Sequence, residues 1–157
     1  MRESKPEFNV SNARKWRFAI ISCSWNNQFN DEMKRSAIET LNECGIPDKN
    51  ISEFLSPGAF ELPILSLKLA KSRKFDAIIC FGTIIRGDTY HFEIVANESA
   101  RGILDVSLST SVPVFNGILT CNNTEQAEIR ANKNKENKGR EVAMSALALL
   151  AELDRAS

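Results

Sequence analysis

The sequence predicts one α/β domain in which helices cover both faces of a four-stranded parallel sheet. Short apolar runs bounded by polar residues alternate with longer segments whose apolar residues recur at helical spacing. Strands separated by helices are joined by right-handed crossovers and therefore lie parallel. A length of 157 residues suits one domain. We expect residues 1–15 to form a polar arm and residues 16–157 to form the domain.

Four short apolar runs are the predicted strands. The first, RFAIISC at 17–23, has polar residues on both sides, as a buried strand should. The others are predicted at 51–55, 76–81 and 112–119. A sheet this small has edges that partner chains can cover, so we expect an oligomer.

Five helices are predicted from capping residues, apolar spacing and stop signals. Asn30 and Asp31 are favourable caps for the first helix, and Gly45 is a typical end. The other helices are predicted to follow Pro57-Gly58 and to span 91–109, 124–133 and 137–153.

The charge balance argues against binding to nucleic acid or to a membrane surface. Twenty basic residues offset twenty acidic ones, so no net field attracts a polyanion. No apolar run approaches the roughly 20 residues that span a bilayer. Residues 1–15 lack the apolar core of a signal peptide, so a cytoplasmic location is expected.

The four cysteines predict buried free thiols rather than a metal site. They are widely spaced and form no CxxC pair, and the chain has a single histidine. A zinc site needs closer pairs of ligands, and free thiols are typical of a reducing compartment. We expect no metal.

Ligands of open parallel sheets bind outside the carboxyl ends of the strands, so the residues there are candidates. Trp25 directly follows the first strand, where it would stack on a flat heterocycle or else pack against the edge of the core. Glu61 follows the second strand at a helix start, where it would bind a ligand or simply cap the helix.

The only histidine, His91, ends the polar segment GTIIRGDTYH at 82–91. Gly82 and Gly87 would allow tight turns, and Asp88 and Thr89 are natural N-caps. Backbone N–H groups at such a helix start can bind an anion, and histidine transfers protons near neutral pH. The alternative is that His91 is a surface or capping residue.

The segment 128–141 is densely charged and contains two candidate anion ligands. Arg130 could bind a phosphate through two hydrogen bonds, and Lys138 could add a second positive charge. Such segments are also common as solvated helix faces. The sequence has no P-loop, no GxGxxG turn and no GxSxG elbow, which argues against ATPase, nicotinamide-dependent and serine hydrolase chemistry.

Six motifs in order carry a resemblance to a known family. They are PGAFELP (57–63), GTIIRGDTYHFE (82–93), VANE (95–98), PVFNGILT (113–120), EQA (125–127) and NKG (137–139). With them the chain closely resembles the 6,7-dimethyl-8-ribityllumazine synthase family over about residues 16–153.

The resemblance implies a flavodoxin-like subunit that assembles into pentamers, with active sites between neighbouring subunits. The family condenses 5-amino-6-(D-ribitylamino)uracil with 3,4-dihydroxy-2-butanone 4-phosphate. It releases phosphate and water and requires no metal or organic cofactor. This reaction is the penultimate step of riboflavin biosynthesis.

The resemblance also implies roles for residues of the pocket. Trp25 matches the aromatic residue that stacks on the pyrimidine, and His91 matches the residue that transfers protons. The remaining matches are the ribityl-binding stretch Ala59, Phe60 and Glu61, the pyrimidine-contacting Ile84 and Ile85, and the phosphate-binding turn Gly87, Asp88 and Thr89.

Three further roles fall on the adjacent subunit. Arg130 matches the arginine that binds phosphate, Lys138 matches a lysine near the reacting centre, and Glu141 fits a carboxylate that supports both charges.

The chain departs from the usual family pattern in two places. Asn116 replaces a common phenylalanine, which predicts a more polar wall facing the pyrimidine. Residues 132–136 replace a turn that usually contains glycine and that influences whether pentamers remain separate or build a sixty-subunit shell; a decamer is a further possible assembly. Assembly size is therefore left open.

An alternative hypothesis is a non-catalytic relative that binds flavin or lumazine or only forms shells. Such a protein could retain Trp25 and lose the charged residues of the site. Trp25, Glu61, His91, Arg130 and Lys138 are all present, which favours the enzyme. A flavodoxin-like electron carrier would need a strongly acidic face, which this balanced chain lacks.

Overall fold

The computed structural model describes residues 13–157; residues 1–12 of the predicted arm lie outside the described part. The strands are β1 (Phe18–Cys23), β2 (Ile51–Ser56), β3 (Ala77–Ile85) and β4 (Val114–Cys121). The α-helices are α1 (Asn27–Glu43), α2 (Leu62–Lys71), α3 (His91–Thr110), α4 (Thr124–Ala131) and α5 (Lys138–Ala156). Short 3-10 turns lie at Ala13–Lys15, Asp48–Asn50 and Ala59–Glu61.

The four strands form one sheet in the order β2-β1-β3-β4, and every neighbouring pair is parallel. The predicted α/β fold with a four-stranded parallel sheet is confirmed. The strand order, with helices on both faces, is that of the flavodoxin-like fold implied by the resemblance.

The sheet separates two hydrophobic clusters. Phe18 and Ile20 of β1 point to one face, where they pack with α1, α4 and α5. Ala19 and Ile21 point to the other face, where they pack with α2 and α3. Because successive strand residues point to opposite faces, a fully buried strand such as β1 reads as a continuous apolar run.

The prediction that the third strand ends at Phe81 is wrong, because β3 continues through Gly82 to Ile85. Gly82 is a strand residue that lets β1 approach closely: a Cβ there would lie 3.2 Å from Cys23 Sγ. The extension pairs Ile84 and Ile85 with β4, which therefore ends at Cys121 rather than at the predicted residue 119.

The first helix begins three residues earlier than predicted, because Asn26 adopts the left-handed conformation with φ of 60° and starts it. Asn30 is therefore inside the helix and fully buried rather than a cap. At the other end of the chain, α4 stops at Ala131, two residues before the predicted end. Asn137 caps α5, in agreement with the predicted start of this helix. Its Oδ1 accepts a hydrogen bond of 3.2 Å from the Arg140 N–H.

Three of the four cysteines, Cys23, Cys80 and Cys121, are buried, while Cys44 is half-buried, and all are free thiols. Burial raises the pKa of Cys23 and of Cys80 to about 12, because the apolar surroundings disfavour the thiolate. Burial also raises the pKa of Cys44.

Residues 13–157 contain no helix that is long and apolar enough to cross a membrane. Within the same residues, no group of three or more histidine, cysteine, aspartate or glutamate side chains could hold a metal ion.

Replacing Gly139 by alanine is expected to destabilise the fold by about 3 kcal/mol, because a new methyl group is forced into a closely packed contact. A Cβ at Gly139 would lie 2.1 Å from the Met33 carbonyl oxygen, where α5 crosses α1. Thermal and urea unfolding of the variant measure the loss. Gly87→Ala is the control, since a Cβ there meets nothing within 4 Å. Equal stability of the two variants would contradict the packing at α5.

Alkylation by iodoacetamide at pH 8 is expected to reach Cys44 first and to leave Cys23 and Cys80 unmodified in the folded protein. Both buried thiols remain protonated at this pH because their pKa lies near 12. The unfolded chain releases those protons above about pH 8.5, so stability should fall as the pH rises beyond that value. Mass spectrometry after digestion assigns the labels. Labelling of Cys23 at the rate of a free thiol would show that the buried position is wrong.

Candidate active site

A pocket of about 600 Å³ lies at the carboxyl ends of β1, β2 and β3, on the face covered by α2 and α3. It is therefore at the edge of the sheet where parallel α/β proteins bind ligands. Its walls come from the loop after β1, the turn before α2, the end of β3 and the start of α3. The residues that line it include Trp25, Ala59, Phe60, Glu61, Ile84, Ile85 and His91.

Trp25 presents its ring to solvent over the pocket, and the side chain is 75% exposed. Its backbone is held by the loop after β2: the Ser24 N–H donates to the Ser56 carbonyl at 2.8 Å, and the Trp25 N–H donates to the Pro57 carbonyl at 3.3 Å. The ring edge lies near Gly58, where a Cβ would be 3.4 Å from Trp25 Cδ1. An indole held this way offers a flat face for stacking and is not a core residue.

The turn before α2 supplies an aromatic side chain and a carboxylate. Ser56 Oγ donates to the Gly58 carbonyl at 2.8 Å, which closes the turn that leads into Ala59–Glu61. Phe60 is 57% exposed, and Glu61 is also exposed on the pocket side. Glu61 occupies the N-cap position of α2 but makes no capping hydrogen bond with its side chain. The capping alternative for Glu61 is therefore not observed, and its carboxylate faces the pocket.

The end of β3 passes beyond its neighbour β1. Pairing between them stops at Ser22 and Phe81, so within residues 13–157 the segment 83–85 has β4 as its only neighbouring strand. At Thr83, where pairing with β1 has ended, Asn26 Nδ2 donates a hydrogen bond of 2.8 Å to the backbone carbonyl. Ile84 and Ile85 follow, half-buried, and line the pocket. A strand edge without a partner presents backbone groups that can hydrogen bond a planar ring.

His91 is the first residue of α3, and it is exposed at the mouth of the pocket. The predicted caps Asp88 and Thr89 do not occupy the N-cap position, which belongs to Tyr90. Thr89 Oγ1 accepts only a long bond of 3.4 Å from the His91 N–H. Gly87 is exposed, and its φ is not in the left-handed range, so the backbone at this position does not require glycine. The segment is an open, exposed turn that leads into the helix.

Arg86 holds this turn in place, and the sequence analysis missed it. Its guanidinium stacks on the Phe92 ring at 4.2 Å, donates from Nε to Asn122 Oδ1 at 2.9 Å and pairs with Glu93. The hydrogen bond from Arg86 lowers the pKa of Glu93 below its usual value. Arg86 thus joins the loop after β3 to α3 and to the loop after β4. In the sequence, an arginine shortly before an adjacent aromatic and carboxylate pair is a weak signal for such contacts, because arginine stays charged and can both stack on a ring and pair with a carboxylate.

Arg130, Lys138 and Glu141 do not line the pocket of their own chain. They lie on α4 and α5, which pack against the opposite face of the sheet. Lys138 Nζ donates to Glu141 Oε1 at 3.0 Å, with both side chains partly buried. Arg130 is exposed, and its Nη1 donates to the Gln126 carbonyl at a long distance of 3.5 Å.

Asn116 is likewise outside the pocket of its own chain. It lies exposed on β4, at the edge of the sheet, and its Oδ1 accepts a bond of 2.9 Å from the Ile118 N–H. One chain therefore brings together the aromatic, acidic and histidine residues of the predicted site and leaves the predicted cations and Asn116 elsewhere.

Comparison with known proteins agrees with this geometry. The sequence profile of the 6,7-dimethyl-8-ribityllumazine synthase family matches residues 15–154. A 6,7-dimethyl-8-ribityllumazine synthase of Desulfatibacillum aliphaticivorans is 44% identical over 134 residues, which cover 85% of this chain and 86% of that protein. One of Protochlamydia amoebophila is 40% identical over 157 residues, covering 100% of this chain and 90% of the relative. One of Methylobacillus flagellatus is 44% identical over 119 residues, covering 76% and 80%. The chain therefore belongs to the 6,7-dimethyl-8-ribityllumazine synthase family.

Proposed function

We propose that this protein condenses 5-amino-6-(D-ribitylamino)uracil with 3,4-dihydroxy-2-butanone 4-phosphate to form 6,7-dimethyl-8-ribityllumazine, releasing phosphate and water. The proposed reaction is that of the family to which the chain belongs. The observation that carries the proposal is a pocket in which Trp25, Glu61 and His91 face the same space beside an unpaired strand edge. These groups suit a flat heterocycle, a polyhydroxylated chain and a proton transfer, respectively.

The pyrimidine substrate occupies the inner part of the pocket. Its ring stacks on the exposed indole of Trp25, and its polar edge meets the backbone of Ile84 and Ile85. The ribityl chain follows the turn of Ala59, Phe60 and Glu61, where the carboxylate accepts hydrogen bonds from hydroxyl groups.

The second substrate lies at the start of α3. The turn of Gly87, Asp88 and Thr89 offers backbone N–H groups to the phosphate, and Arg86 keeps that turn against α3. His91, at the mouth of the pocket, exchanges protons as the aromatic amine attacks the ketone and as water leaves. Phosphate departs as its negative charge is stabilised by these N–H groups and by a cation.

That cation comes from a second copy of the chain. Arg130 and Lys138 lie on helices of the opposite sheet face, so they cannot reach the pocket of their own chain. A neighbouring copy can present Arg130 to the phosphate, with Lys138 and Glu141 near the reacting centre. The same holds for Asn116, whose position on the outer edge of the sheet requires a neighbour for any contact with the pyrimidine.

Copies that contribute different surfaces to one site make a head-to-tail contact, and such contacts form a ring when the rotation between copies closes. We propose a ring of five. Exposed Leu104 and Leu108 on α3, at 56% and 75% exposure, supply apolar surface for contacts between copies. Sedimentation of the purified protein distinguishes a ring of five from a decamer or a sixty-subunit shell.

We propose the cytoplasm as the location of the protein, because three buried free thiols suit a reducing compartment.

The direct test is the appearance of lumazine absorbance from the two purified substrates, without added metal or cofactor. Turnover supports the proposal. Absence of turnover together with tight binding of a flavin or lumazine would support a non-catalytic relative instead.

Arg130→Ala is expected to raise the KM for the phosphorylated substrate by about a hundredfold, because a charge-assisted bidentate contact is lost. The KM for the pyrimidine should change by less than about twofold. Steady-state kinetics with each substrate varied in turn measure both. Lys135→Ala, which removes a surface cation between α4 and α5 that pairs with Glu128, is the control. Equal effects on both substrates would refute a phosphate role for Arg130.

His91→Ala is expected to lower kcat by about a hundredfold while pyrimidine binding stays near that of the unmodified protein. Some turnover should remain, because holding two substrates in register survives the substitution. Single-turnover absorbance measures the chemistry, and titration of Trp25 fluorescence in a Trp16→Phe background measures binding. An unchanged rate would remove His91 from the mechanism.

A further inference from the structure

Asn30 forms a buried hydrogen-bonded clamp between two walls of the pocket. Its Nδ2 donates to the Cys23 carbonyl at 2.8 Å and to the Trp25 carbonyl at 2.8 Å. Its Oδ1 accepts from Thr83 Oγ1 at 2.7 Å. The side chain is 0% exposed and does not line the pocket. Each N–H of the amide is thus used, and its oxygen has a partner.

The clamp joins the two elements that would bind the pyrimidine. Cys23 and Trp25 belong to the end of β1 and the loop after it, whereas Thr83 lies on β3 and lines the pocket together with Ile84. The sheet itself does not join these elements here, since β1–β3 pairing ends at Ser22 and Phe81. Side-chain bonds from Asn26 and Asn30 take over where the strand pairing stops.

The position of the Trp25 ring depends on this support, because little of the side chain is packed against the protein. The side chain is 75% exposed, so its direction is set chiefly by the backbone that carries it. That backbone is held by the Asn30 amide at its carbonyl and by the Pro57 carbonyl at its N–H. Loss of the amide would leave the buried Cys23 carbonyl and the Thr83 hydroxyl without this partner and would release the Trp25 loop.

We propose that Asn30 is a positioning residue that sets the distance between the stacking face of Trp25 and the edge of β3, and so selects a planar heterocycle of pyrimidine size. The inference rests on the proposed function. Asn30 touches no substrate and acts through Trp25 and Thr83.

The test compares variants in a Trp16→Phe background, in which Trp25 is the only tryptophan. Asn30→Ala removes the clamp. Thr83→Val removes one of its bonds with little change of shape, and Thr83→Ser restores the hydroxyl. Thr40→Val is the matched control: Thr40 is buried on the same helix, and its hydroxyl donates to the Ser36 carbonyl at 2.8 Å, away from the pocket.

Asn30→Ala is expected to raise the KM for the pyrimidine by about tenfold and to leave the KM for the phosphorylated substrate within about twofold, because only one binding surface is displaced. Fluorescence anisotropy of Trp25 should fall as the ring gains mobility. Thr83→Val should change both quantities in the same direction by a smaller factor, and Thr83→Ser should reverse most of the change. Thr40→Val should lower stability without moving either quantity.

Unchanged anisotropy and pyrimidine KM in Thr83→Val would overturn the proposal even if Asn30→Ala fails to fold. An equal rise in both KM values would also overturn it, as that would indicate general loosening of the fold. Anisotropy requires no turnover, so the two proposals can fail separately. If the protein forms no lumazine but the anisotropy of Trp25 still falls in Thr83→Val, the clamp is supported and the proposed function is not.

Discussion

The sheet divides the proposed catalytic groups between its two faces, and this division governs how the site can work. Trp25, Glu61 and His91 converge on the α2 and α3 side, whereas Arg130 and Lys138 are carried on α4 and α5. A sheet buried on both faces offers no passage between them. Under the proposed function, one chain therefore supplies the surface for the heterocycle, and a neighbouring copy supplies the cations for the phosphate.

Within one chain, the pocket depends on the mismatch in length between β1 and β3. The extra residues of β3 present a backbone edge to the pocket, but they lack hydrogen bonds to β1 on that side. The side-chain amides of half-buried Asn26 and buried Asn30 compensate for that loss. Arg86 does the same for the turn before α3, through its stacking on Phe92 and its bond to Asn122. Polar side chains thus maintain the geometry of the pocket where regular secondary structure ends.

The order of strands and helices was predictable because apolar runs and helical spacing leave clear periodic patterns. The end of β3 was not, since Gly82 reads as a hinge in the sequence, and only the contact with Cys23 Sγ explains why a glycine lies inside a strand. Asn30 was mistaken for a cap for a similar reason: the residue type suits both roles, and burial decides between them. The residues around the pocket were found from their place after each strand. The clamp and the Arg86 network were missed because they depend on contacts between segments distant in sequence.

The measurement that tests the divided site most directly is complementation between two impaired variants. His91→Ala and Arg130→Ala chains, unfolded and reassembled together in equal amounts, should recover about one quarter of the activity of the unmodified protein, because a quarter of the interfaces join an intact pocket to an intact cation surface. Arg130→Ala mixed with Lys138→Ala is the control, since both changes affect the same donating surface and no interface becomes intact. Recovery only in the first mixture is the predicted result. Activity of that mixture no higher than the average of the two variants alone would show that His91 and Arg130 act within one chain.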